Sequence, residues 1–285
     1  MPSLIDIRRR IRSVRNTQQI TKAMKMVSAA KLRRAQDRVI ASRPYGAELR
    51  ALLADVAAGA AGDERVAEHP LLARRPEERL QLVLITSDKG LAGAFNANLI
   101  KAAQRFAAER RPASTTFELI GRKGRDFFRK RGVTITGEHL GLAKVQYLDA
   151  ATIARTLMER FQNQEIDALY VLYNEFKSVL AQKVTLTQVL PIELPQQAGP
   201  VDFIFEQPPL QMLETLLPRY VESEVYRALL ESAAAEHAAR MTAMDAATSN
   251  AAEMIDNLTL YMNRVRQASI TKEIIEVVSG AAAAE

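Results

Sequence analysis

RYVESEVYRALLESAAAEHAARMTAMDAATSNAAEMIDNLTLYMNRVRQASITKEIIEVVS, residues 219–279, contains neither proline nor glycine. Its apolar positions Val221, Val225 and Leu229, then Ile255, Leu258, Met262 and Val265, recur at steps of three and four, the spacing of a helix with a coiled-coil seam. At about 1.5 Å per residue such a helix would be roughly 90 Å long, more than one small domain can bury. Alanine and serine fill its middle and permit close approach of a second helix. The stretch therefore demands a partner helix.

The opposite end of the chain supplies one. From Ser3 to about Ala58 the residues Leu4, Ile7, Ile11 and Val14, then Met24, Val27, Leu32, Ala35 and Val39, keep helical spacing. Ser3 with Asp6 three positions on has the form of a capping box, and Pro44 predicts a kink or brief break. Charge points the same way. Residues 1–50 carry 13 Lys/Arg against 3 Asp/Glu, a net of +10, whereas residues 210–285 carry 6 against 11, a net of −5. Two such segments attract when they run side by side. A chain that leaves and returns through one intervening domain pairs its ends antiparallel, and the longer C-terminal helix should project beyond its partner. Pro218 predicts a kink or a later start for that helix, because it obstructs the carbonyl one turn earlier.

Between the helices the pattern changes. Residues 57–78 mix Gly, Pro and charge and read as a linker with one turn of helix. Strand candidates follow at Leu80–Thr86, Thr115–Gly121, Val133–Thr136 and Ile166–Phe176, alternating with helical stretches at Asn96–Arg110, 124–131 and Ala150–Gln164. Apolar strands alternating with helices imply a doubly wound, mostly parallel, Rossmann-like sheet, with Lys183–Ile192 as a further and antiparallel strand. The fold class is thus α/β plus a long antiparallel coiled coil. The expected division is 1–58 N-terminal helix, 59–78 linker, 79–207 α/β domain and 208–285 C-terminal helix.

Composition excludes several function classes. With 285 residues, 48% hydrophobic and 25% charged, the chain has the make-up of a globular protein. No window approaches the roughly 20 apolar residues of a membrane span, and MPSLIDIRRRIRSVR lacks a signal peptide's apolar core; a cytoplasmic location is expected. Cysteine is absent, and the three histidines, His69, His139 and His237, are far apart, so neither a disulfide nor a metal site is expected.

Few constellations invite catalysis. Leu84–Leu99, LITSDKGLAGAFNANL, follows a strand and opens a helix, where phosphate cradles form. Its glycines have neither the dinucleotide nor the P-loop spacing, and Lys89 precedes them. Ser87 and Asp88 have no histidine nearby. The basic run Arg8, Arg9, Arg10, Arg12 and Arg15 could grip phosphates, yet its helix continues into the neutral seam TKAMKMVSAAKL and no RNA-binding aromatic signature accompanies it. No cofactor and no nucleic acid are expected. The rival readings are a nucleotide-dependent α/β enzyme with a coiled-coil tether and a coiled-coil nucleic-acid adaptor. The last segment, SITKEIIEVVSGAAAAE, ends in small and apolar residues that would ordinarily be buried in a partner.

ITKEIIEVVSGAAA, residues 270–283, resembles the end signature of the gamma-subunit family of bacterial F-type ATP synthases. IRRRIRSVRNTQQITKAMKMVSAAKLRRAQ, ITSDKGLAGAFN and RMTAMDAATSNAAEMIDNLTLYMNRVRQASIT are similar to that family as well, so the resemblance covers the whole chain. It implies a non-catalytic rotor shaft that couples proton or sodium-ion flow through the membrane c-ring to ATP synthesis or hydrolysis at the beta subunits. The implied partners are the alpha and beta subunits, the epsilon subunit and the c-ring, in a hetero-oligomer at the cytoplasmic face of the inner membrane. Carried over by position, the resemblance implies stator contact at Lys22, Met24 and Lys25 and at Arg240, Arg266, Gln267 and Thr271. It implies c-ring contact at Phe203, Phe205 and Glu206, where phenylalanine stands in place of some expected tyrosine, and a bearing tip at Val277, Val278 and Gly280.

Overall fold

The computed structural model describes residues 3–60, 64–110, 113–142, 145–194 and 206–282. Helix α1 spans Leu4–Gly59 and is followed by a single turn, α2 (Glu64–Ala67), and a 3-10 turn over Pro70–Leu72. Then come β1 (Arg79–Ile85), α3 (Phe95–Glu109), β2 (Ser114–Ile120), α4 (Arg122–Phe128), β3 (Ile135–His139), α5 (Tyr147–Gln162), β4 (Ala168–Phe176), β5 (Gln182–Leu190) and α6 (Pro209–Ala282). The chain divides into two compact units, one comprising Met1–Ser28 with Met241–Glu285 and the other Ala29–Arg240.

In the second unit the strands lie in the order β3-β2-β1-β4-β5. β1 pairs in parallel with β2, Leu84 opposite Leu119, and with β4, Leu84 opposite Leu172; β5 runs antiparallel to β4. This is the doubly wound, mostly parallel sheet that the strand and helix alternation predicts. β1 is buried from Leu80 onward, because helices cover both faces of a central parallel strand. Leu80, Leu82 and Leu84 alternate onto one face, where they cluster with Phe95, Leu99 and Phe106 of α3 and with Phe128 and Ala235. Edge strand β5 instead alternates between exposed and half-buried positions along most of its length.

β3 begins two residues later than the sequence suggests and ends at His139. Gly132 turns in the left-handed region, and the Thr134 carbonyl accepts from the Phe117 amide at 2.9 Å before the strand settles into register. Inside β3, Gly137 leaves room for a neighbouring side chain. A Cβ there would lie 1.9 Å from Glu118 Oε1, a buried carboxylate that accepts from Thr136 Oγ1 and pairs with His139 Nε2 at 2.7 Å.

The brief break at Pro44 and the late start at Pro218 need correction. α1 runs through Pro44 without a break, and α6 does not start late at Pro218 but nine residues earlier, at Pro209. Proline at a first helical position loses an amide that would be unpaired anyway. Leu213, Leu217, Val221 and Val225 are all fully buried across Pro218, and burial of that seam outweighs the missing hydrogen bond. At the other end, Ser3 and Asp6 form the expected capping box, the Asp6 amide donating to Ser3 Oγ and the Ser3 amide to Asp6 Oδ2.

The helices pair antiparallel in each unit. In the first, Thr21 meets Thr248 with hydroxyls 2.8 Å apart and Lys25 meets Asp245 at 2.5 Å; Ile7, Ile11, Ser28, Met244 and Ala251 are buried. In the second, Arg43 meets Glu231 and Arg50 meets Glu224, each at 3.3 Å. The charge asymmetry of the ends thus becomes specific ion pairs.

Candidate functional site

Two places bear on function: the crevice at the carboxyl ends of β1 and β2, where a doubly wound fold ordinarily takes its ligand, and the surface of the helix pair. At the crevice, β1 passes into the loop 86–94. The Thr86 hydroxyl donates to the Ile120 carbonyl at 3.0 Å and accepts from the Gly124 amide at 2.9 Å, which ties the ends of β1 and β2 together. Gly121 there has φ +91°, and a Cβ would fall 2.1 Å from the Thr86 carbonyl oxygen.

Several backbone donors at the crevice are already committed. Asp88 Oδ1 accepts from the Arg122 amide and Oδ2 from the Gly141 amide, both at 3.0 Å. Asn96 Oδ1 accepts from the Ser87 amide at 3.0 Å. A carboxylate of the chain itself therefore stands in the anion's place. From the other side α6 closes the crevice: Arg240 donates to the Lys89 carbonyl at 3.2 Å and to the Gly90 carbonyl at 3.3 Å, and pairs with Glu236 at 2.6 Å. The remaining space, about 130 Å³, is well below the roughly 300 Å³ at which ligand pockets begin. The glycine spacing of this loop argues against a nucleotide, and as folded the crevice leaves little room for one.

Electrostatics here follow from burial. Burial pushes the Glu236 carboxyl up, opposed by Arg240 and Lys31. Burial, with Arg240 and Lys31 adding to it, holds His237 down at about 4, so its ring is neutral at ordinary pH and its Nδ1 is buried without a hydrogen-bond partner.

On the helix pair of the first unit, Lys22 is exposed, Met24 is half-buried, and Lys25 is engaged with Asp245. Arg266, Gln267 and Thr271 lie together and exposed on α6, with Thr271 Oγ1 donating to the Gln267 carbonyl at 3.0 Å. Arg240 is not one of that group: it belongs to the second unit, is buried, and spends its donors on the crevice loop. Beyond Thr271 the helix presents Ile274, Ile275, Val277 and Val278, with Val277 72% exposed; Gly280 lies within the last turns of α6. Glu206 is exposed in a bend before α6, while Phe203 and Phe205 lie outside the described residues. No described helix is long and apolar enough to cross a membrane.

Sequence reasoning missed the internal anion Asp88, the grip of Arg240 and a ladder of buried acids on α6. Glu222, Glu224 and Glu231 are each under a tenth exposed. The only signal available was their repeated placement near Val221, Val225 and Leu229 on an apolar seam, which segment totals of charge conceal.

A family model described as ATP synthase matches residues 3–284. The chain is similar to the ATP synthase gamma chain of Solibacter usitatus (strain Ellin6076), 76% identical over 286 residues and all of both chains. It is 54% identical to that of Anaeromyxobacter sp. (strain Fw109-5) over 99% of each. Its structure resembles a chain of the central stalk and c-ring of Tetrahymena thermophila mitochondrial ATP synthase, with TM-score 0.59 and 26% identity over 80% of this chain and 99% of that one.

Proposed function

The chain belongs to the ATP synthase gamma-chain family, and on that premise we propose how it carries rotation between an ion-driven membrane ring and the catalytic beta subunits. It is the non-catalytic rotor shaft of the synthase. The observation that carries the mechanism is the free end of α6, where Ile270, Ile274, Ile275, Val277 and Val278 are exposed together. An apolar patch of this kind is covered by a partner in a working protein. On this reading Val277, Val278 and Gly280 form a bearing tip enclosed by the alpha and beta subunits.

Lys22, Met24 and Lys25 with Arg266, Gln267 and Thr271 face the stator, where exposed cations suit acidic loops. Arg240 joins them only by exchanging the Lys89 and Gly90 carbonyls for stator acceptors. The region of Phe203, Phe205 and Glu206 meets the c-ring, and the α/β unit docks epsilon. This assigns 1–58 and 208–285 to the coiled coil, 59–78 to a linker and 79–207 to a body whose ligand crevice is closed, at the cytoplasmic face of the inner membrane and peripheral through the complex.

The mechanism is differential binding. Three chemically identical catalytic sites meet one asymmetric shaft, and each orientation favours a different conformation at each site by the difference in its contacts. Because the chain contains no cysteine, Val277→Cys introduces a single thiol. In the purified complex a maleimide carrying a photoreactive group should, on illumination, link it to an alpha or beta subunit and stop turnover. A tip that stays unlinked and solvent-labelled in the intact complex would overturn the assignment.

A further inference from the structure

A second cleft in the unit 29–240, lying where α1, the start of α5, the end of β4 and the first half of α6 come together, has a volume of about 960 Å³, at the upper end of the range for small-ligand sites. It is separate from the closed crevice, and its lining is cationic. Arg43 is matched by Glu231, Arg155 by Glu222 and Lys177 by Glu175. Arg50 and Arg227 share the single carboxylate of Glu224, and Arg219 forms no ion pair among the described residues. Six cations against four carboxylates leave two positive charges uncompensated. Three of those guanidinium groups, on Arg43, Arg155 and Arg219, are more than half exposed or open to solvent, so their remaining donors are free for a ligand.

The apolar component of the lining is aromatic. Tyr147 packs edge-on against Tyr226 with ring centroids 5.5 Å apart, and Tyr45 is 53% exposed. The Tyr147 hydroxyl is tied to Glu222 Oε2 at 2.6 Å, which orients its ring toward the cleft wall. Guanidinium forks recognise phosphate oxygens bidentately, and tyrosine rings offer a face for a planar group. A phosphate monoester carries −1.5 to −2 at neutral pH, which is about the charge left uncompensated here.

We propose that this cleft binds a phosphate monoester bearing an aromatic ring, such as a nucleoside monophosphate. Arg155, bound to Glu222, and Arg219, one turn before Glu222 on α6, hold the phosphate, and Tyr45 with Tyr147, whose hydroxyl meets the same Glu222, receives the ring. The site does not depend on the shaft reading and would persist if that reading failed.

Isothermal titration of the purified full chain with AMP, adenosine and inorganic phosphate tests it. AMP should bind saturably, with adenosine and phosphate each weaker by roughly tenfold or more. Arg219→Glu should weaken AMP by a similar factor while leaving the thermal midpoint unchanged, since Arg219 is exposed and breaks no pair. Tyr45→Ala should weaken AMP but not phosphate, and Arg105→Glu on α3 should change neither. No AMP binding at millimolar concentration, or equal binding by wild type and Arg219→Glu, overturns the proposal. Phosphate binding as tight as AMP overturns the aromatic half of the site.

Discussion

The two units hold their helices together by different means. Within 29–240, α6 carries buried acids with internal partners: Glu231 accepts from Arg43 and from the Phe176 amide at 3.0 Å, and Glu222 accepts from Arg155 at 2.9 Å and from the Tyr147 hydroxyl. Within the other unit the interhelix polar contacts include a hydroxyl pair and an exposed ion pair beside the buried Ile7, Ile11, Met244 and Ala251, and the end of α6 leaves its isoleucines and valines in solvent. The first arrangement is complete by itself. The second leaves an apolar end that, on the shaft reading, the alpha and beta subunits cover. One helix can therefore serve as a structural core in one stretch and as a binding surface in another, the difference being where its apolar positions find partners.

The largest test of that contrast is to delete residues 270–285. Coupled ATP synthesis by the assembled complex should fall by roughly tenfold or more, while the unfolding midpoint of the purified chain should barely move; a large loss of stability would erase the distinction. Next, Gly121→Ala should destabilise the second unit by at least about 3 kcal/mol, as strain and a backbone clash combine, measured by urea unfolding. Glu231→Ala comes third, at about 1–3 kcal/mol, because it orphans the Phe176 amide. The exposed counterpart, Asp245→Ala in the first unit, should cost less than about 1 kcal/mol. Equal costs for these two would break the comparison.

The smallest effect concerns pH. His237 is held below its ordinary 6.5 at about 4, so the unfolded chain binds the proton more readily than the folded one. The stability this neutral ring contributes is complete above pH 6.5 and is lost progressively as pH falls toward 4. His237→Phe should remove that part of the slope and leave the profile above 6.5 unaltered, as read from denaturation midpoints across pH 4 to 8.

How much of this was legible depended on whether the signal was periodic. The helix pair and the alternating strands were readable because Leu4, Ile7, Ile11 and Val225, Leu229 repeat with the period of their element, and net charge told which ends attract. Pro218 misled because a local rule about one backbone bond was set against Leu213, Leu217 and Val221, whose burial depends on the tertiary fold. Asp88 was invisible as an internal anion because its two donors, Arg122 and Gly141, are 34 and 53 positions away. Arg266, Gln267, Thr271 and Arg240 were all named through the family resemblance; the first three are exposed, whereas Arg240 is turned inward onto the crevice loop, a contact with residues 150 and 151 positions away that no local pattern signals.

The acid ladder on α6 also fixes how the two helices mesh. Sliding α6 by one residue along α1 would rotate Glu231 and Glu224 away from Arg43 and Arg50 by about a quarter turn and leave carboxylates buried without partners, a costly state. Twisting stress in this stretch then has no low-energy slip plane to relax into. The pair behaves as a splined axle, in which the teeth are charges and the keyway is the apolar seam.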